Sequence, residues 1–135
     1  MRLHDKIYLK SNRYNKPKER DKLLLKIIKL RNQKSKKLKI LDIGCANGEL
    51  IYFLNRNLKN VEIHGYEIRK DLIIRAKQYC KKSKFKRVDI TKRLKFKEKF
   101  DIIICSGVIS IFDDLNIFFK NIKRLSKKNS SIYLS

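Results

Sequence analysis

From residue 39 onward, short apolar runs alternate with segments whose apolar residues recur every three or four positions. The short runs are 39–43 (KILDI), 61–67 (VEIHGYE), 85–90 (FKRVDI), 100–105 (FDIIIC) and 130–135 (SSIYLS). The helix-spaced segments are 48–57, 71–81 and 115–125, with apolar faces built on Leu50, Ile51, Phe53 and Leu54, on Leu72, Ile73, Ala76 and Tyr79, and on Ile117, Phe118, Ile122 and Leu125. Strands that alternate with helices predict βαβ units and a parallel sheet, an α/β fold. FDIIIC is apolar on nearly every position, which suits a strand covered on both faces. Ligands of such sheets bind beyond the carboxyl ends of the strands, so chemistry is expected in the loops that follow them.

Upstream, LLLKIIKL (23–30) is broken only by Lys26 and Lys29, which predicts an amphipathic helix over about 19–32. Residues 1–20 are polar, carry His4, Tyr8, Tyr14 and the only proline, Pro17, and read as an arm. The expected organisation is a single domain: arm and helix over 1–37, sheet core over 38–135.

Composition narrows the class. The 42% hydrophobic content of the 135 residues permits a sizeable core, and no stretch reaches the ~20 apolar residues of a membrane span. Cys45, Cys80 and Cys105 form no CxxC pair, so no zinc or dithiol site is expected, and they read as reduced thiols in a cytoplasmic protein. The net charge of +23 is compatible with RNA binding. It is also compatible with drift towards Lys, Ile and Asn, because the basic residues are spread along the whole chain.

Two of the four glycines, Gly44 and Gly48, fall in the turn after the first strand, in KILDIGCANGEL. There a glycine can take backbone angles closed to other residues, and the following helix offers free N–H groups. The dinucleotide pattern GxGxxG fails, because Ala46 and Glu49 stand where its later glycines belong. The pattern D/E-x-G-x-G-x-G is met at Asp42, Gly44 and Gly48, with Ala46 at the middle glycine.

With this loop the chain resembles the class I S-adenosylmethionine-dependent methyltransferases, and further segments extend the resemblance over about 38–135. The resemblance implies a Rossmann-like, doubly wound, mainly parallel sheet of order 3-2-1-4-5. It implies S-adenosylmethionine as cofactor, held by Asp42, Gly44, Cys45, Ala46 and Gly48 around the first loop. Glu67, with Ile68 beside it, stands where the family's ribose-binding acid closes strand two; one carboxylate can accept from both hydroxyls of a diol. Asp89 and Ile90 match the adenine-side pair after strand three. FDIIICSGVISIFDD resembles the family's segment after strand four, placing Ser106 and Gly107 at the methionine end and Ile109 and Phe112 below it. LSKKNSSIYLS resembles the entry into strand five, with Lys-Asn for Pro-Gly.

Methyl transfer from a sulfonium needs an acceptor held in line more than it needs a base, so no catalytic residue is assigned. The (N/D/S)PP(Y/F) motif of adenine and glutamine enzymes is absent. Cys105 lies inside the apolar run and reads as core. Ser110 stands where many members carry His or Glu. Three functions follow as expectations: methylation of a small molecule, methylation of RNA, or cofactor binding without catalysis. The RNA reading requires a basic surface around the pocket mouth. His64 is expected to be structural, and Asp113 and Asp114 to cap the last helix. The family's usual sixth and seventh strands have no counterpart here, so an exposed sheet edge and homodimerisation are expected.

Overall fold

The computed structural model describes residues 3–31 and 36–135, without the side chain of His4. Two helices, α1 (Leu3–Lys10) and α2 (Glu19–Arg31), precede β1 (Leu38–Ile43). There follow α3 (Glu49–Asn57), β2 (Val61–Glu67), α4 (Lys70–Tyr79), β3 (Lys84–Arg87), β4 (Phe100–Cys105), α5 (Leu115–Leu125) and β5 (Ser126–Leu134). The strands form one sheet in the order β3-β2-β1-β4-β5, with all neighbours parallel. This is the expected Rossmann-like order.

Alternation along the central strands divides the core. Leu41, Ile43, Ile103 and Cys105 point to the face covered by Phe118, Ile122 and Leu125 of α5. Ile40, Ile63, Ile102 and Ile104 point to the other, against Ile28 of α2 and Ile51 and Leu54 of α3. Parallel strands buried on both sides explain the unbroken apolar run of FDIIIC. His64 is buried in β2, with Nε2 2.7 Å from Glu62 Oε1 and its ring edge-on to Phe100.

Three elements differ from expectation. The arm contains a helix, α1, whose short LHDKIYLK segment has little periodic signal; Asp5 in its first turn and Lys10 in its last complement the helix dipole. β3 ends at Arg87 rather than at residue 90, because Asp89 Oδ1 accepts from both the amide (3.0 Å) and the hydroxyl (2.6 Å) of Thr91, turning the chain. β5 begins at Ser126, directly after α5, rather than at residue 130. Its pairing jumps from Phe100–Ser126 to Ile102–Ser131, so SKKNSS (126–131) forms a bulged strand instead of a loop. Ser130 Oγ holds the bulge through the carbonyls of Phe100 (2.7 Å) and Lys127 (2.9 Å).

Candidate active site

The carboxyl ends of β1, β2, β3 and β4 open into a cleft of about 1490 Å³. That exceeds the usual ligand pocket and leaves room for two ligands side by side. Gly44, Ala46, Glu67, Ile68, Asp89, Ile90, Ser106 and Gly107 all line it. Asp42, Cys45 and Gly48 do not.

The loop after β1 is shaped by three left-handed residues: Gly44 at φ 71°, Ala46 at φ 49° and Gly48 at φ 81°. Gly44 also needs its missing side chain, since a Cβ would lie 2.7 Å from Val108 Cγ2. Gly48 packs its bare Cα against Ala76 of α4 and Cys80, the residue that follows it. The loop is hung from β2 by the amides of Gly44 and Cys45, which donate to the Tyr66 carbonyl at 2.8 and 3.1 Å.

Glu67 is 8% exposed. Its Oε2 accepts from the Ala46 amide and its Oε1 from the Arg69 amide, both at 3.0 Å. Burial raises its pKa, and the backbone N–H groups act in the opposite direction. The Ile68 amide acts on the same carboxylate, whose two oxygens together offer about four acceptor sites, so capacity remains for a ligand. Asp89 uses Oδ1 for Thr91, and no described hydrogen bond engages its Oδ2. Ser106 and Gly107 form the opposite wall. They are fixed by the edge strand: Gly107 N donates to Ser135 O at 2.8 Å, and the Ser106 and Ser135 hydroxyls are 2.7 Å apart.

Asp42 is buried beneath the loop, on the α2 side of the sheet. Burial, the nearby Asp21 carboxyl and Glu67 push its pKa well above the usual range, opposed by Arg20. Asp42 does not reach the surface of the cleft. Cys45 is buried as well, and burial raises its thiol pKa strongly. Burial also pushes the Cys105 thiol up to about 12, as expected for a core residue without nucleophilic character.

The arm contributes residues that sequence reasoning did not assign to the cleft. Asp5 and Tyr8 of α1 line it. Asp5 lies 3.7 Å from Nη1 of Arg69, which also donates to Asp71 through Nε and Nη2. Tyr14 does not face the cleft. It is buried, stacked on Tyr79 at 3.8 Å, and donates its hydroxyl to Asn47 O at 2.8 Å. Asp113 and Asp114 line the cleft, and Asp114 also caps α5 by accepting from Asn116 N. The side chain of His4 lies outside the described residues.

The charge of the cleft opposes that of the chain. Six of the thirteen acidic residues line it (Asp5, Glu67, Asp71, Asp89, Asp113, Asp114), against three of the thirty-six basic ones (Arg69, Lys70, Arg87).

A family model described as "Methyltransferase domain" matches residues 34–135. The chain belongs to the class I S-adenosylmethionine-dependent methyltransferases. This methyltransferase is 32% identical over 117 residues to the ubiquinone biosynthesis O-methyltransferase of Pelagibacter ubique, a match covering 83% of the chain. It spans 48% of that relative's length. Its fold matches the TehB-like SAM-dependent methyltransferase of Corynebacterium glutamicum with a TM-score of 0.68 at 23% identity, over 80% of this chain and 59% of the other. It matches the plantazolicin methyltransferase, solved with a substrate analogue and SAH, with a TM-score of 0.75 at 21% identity. That alignment covers 96% of this methyltransferase and 52% of the other chain.

Proposed function

We propose that the chain binds S-adenosylmethionine in the cleft and transfers its methyl group to a small molecule. The observation that carries this reading is the junction of Glu67 with the glycine loop. A buried carboxylate with spare acceptor capacity stands at the end of β2, tied to the Ala46 amide, in one cleft with Asp89.

The residues present fit the cofactor. Glu67 suits a ribose diol, and Asp89 Oδ2 suits an adenine amino group. Ile68, Val88 and Ile90 supply apolar surface for a base. Gly107, at φ 77°, has nothing closer than 4.0 Å to an added Cβ, so the main chain there is open to close approach. The acidic lining suits a ligand that carries positive charge. Bound there, the cofactor supplies a methyl group already activated by a sulfonium. The chain's part is to orient the acceptor and exclude water.

A small acceptor is supported by the acidic lining, which repels a polyanion such as RNA, and by the name of the Pelagibacter relative, a ubiquinone biosynthesis O-methyltransferase. Ile74, Ile111, Phe112 and Ile117 line the outer cleft and give an acceptor apolar contact.

Calorimetric titration with S-adenosylmethionine, NAD as control and a Glu67→Ala variant alongside, tests the reading. Saturable binding of S-adenosylmethionine alone, lost in the variant, is expected. A folded chain that binds neither ligand overturns it.

A further inference from the structure

Glu49 opens α3, where an anion is favoured by the helix dipole. Such a charge beside the glycine loop does nothing for the cofactor contacts described above. Its bonds go elsewhere. One oxygen, Oε1, accepts from Ser11 Oγ at 2.5 Å, from Arg13 N at 2.8 Å and from Asn47 Nδ2 at 3.2 Å. Two of these donors belong to the arm and the third to the glycine loop.

The connection continues on both sides. Asn47 Nδ2 also donates to Tyr8 O at 2.9 Å, and Arg75 of α4 donates to Ser11 O at 2.8 Å. Asn47 is fully buried, so its amide has no water to fall back on. Upstream of Ser11 and Arg13, on α1, stand Asp5 and Tyr8, the two arm residues on the cleft wall.

We propose that Glu49 is a positioning residue: it docks the N-terminal arm onto the glycine loop and thereby sets Asp5 and Tyr8 as one wall of the cleft. The inference rests on the reading that the cleft holds S-adenosylmethionine. A carboxylate oxygen bridging three donors is a charge-assisted junction, stronger than a neutral bond. Its loss releases the arm while the sheet, which Glu49 does not touch, stays folded.

The test compares Glu49→Ala and Glu49→Gln in the full chain by amide hydrogen exchange and by calorimetry with S-adenosylmethionine. In Glu49→Ala, exchange over residues 3–14 rises about tenfold or more, while β1 and β4 keep their protection. The Kd for S-adenosylmethionine rises roughly five- to thirtyfold. Glu49→Gln, which keeps an accepting oxygen, restores most of both. A merely structural role would move exchange throughout the chain. Should Glu49→Ala lose protection in the sheet, Ser11→Ala removes one donor from the arm side, and the same pattern at smaller size is expected. An arm as protected as in the parent overturns the proposal, and so does a released arm with unchanged Kd. A parent chain that does not bind S-adenosylmethionine sinks the functional reading instead, and the exchange comparison still decides whether Glu49 docks the arm.

Discussion

The Glu67 carboxylate and the Ala46 amide meet at 3.0 Å where β1 and β2 end. This bond holds a non-glycine residue at φ 49°, in the left-handed region. Alanine there costs roughly 1 kcal/mol in backbone strain. Ala46→Gly removes the strain but gives the unfolded chain more freedom, which offsets about half of the gain. A net stabilisation of about 0.5 kcal/mol is expected from urea unfolding. A net loss would show that the loop holds Ala46 without strain.

Gly44 and Gly107 share a left-handed φ but not their surroundings. An added Cβ at Gly44 meets Val108 at 2.7 Å, whereas at Gly107 its nearest neighbour is Arg20 Nη1 at 4.0 Å. Gly44→Ala should therefore destabilise by about 1–3 kcal/mol more than Gly107→Ala. Adding Val108→Ala to the first variant should recover part of that difference. Equal losses in the two single variants would remove the steric argument.

Asp42 carries a raised pKa in the fold, caused first by burial and then by Asp21 and Glu67. Between its unfolded value near 3.8 and its folded value, the native state binds the extra proton, so stability falls as pH rises through that window. Asp42→Asn abolishes this dependence. The variant should melt several degrees above the parent at pH 7, and the gap should close as pH approaches 4. A variant less stable than the parent at pH 7 would mean that the ionised carboxylate supports the loop.

Glu62 behaves in the opposite sense. His64 and Lys84 lower its pKa from 4.5 to about 2 against the effect of burial. Its contribution is present above pH 4.5 and is lost as pH falls towards 2. Glu62→Gln should be less stable than the parent at pH 6 and should show a flatter acid limb, read by thermal melts between pH 6 and 2. Parallel acid limbs in the two proteins would exclude the His64–Glu62 contact as their origin.

The helices and strands after residue 38 were legible because their apolar spacing matches what they bury. VEIHGYE, FDIIIC and the helix of α5 have the bounds that periodicity predicts. The failures lie where polar side chains decide the backbone. Thr91 bonding to Asp89 cuts β3 short, and Ser130 bonding to Phe100 O turns a predicted loop into a bulged strand. Neither bond leaves a hydrophobic pattern.

The site divides in the same way. Gly44, Glu67, Asp89, Ser106 and Gly107, which line the cleft, were legible as candidates because each stands at or just beyond a strand end. Asp42 was assigned to the ligand, yet strand alternation turns it towards α2, on the same face as Ile40. Asp5 and Tyr8 were illegible as a pair because they reach the cleft only through a fold-back anchored at residues 47–49. Glu49, which stands where a dinucleotide loop would carry its last glycine, is taken up by the arm.

The chain has six tyrosines and no tryptophan, and three of the tyrosines meet in one cluster. Tyr14 of the arm lies flat on Tyr79 of α4 with Tyr52 at its edge. Rings held rigidly at 3.8 Å couple their electronic transitions, so the docked arm carries its own near-ultraviolet circular dichroism. Arm release is therefore an optical event, visible in the untagged, unlabelled protein.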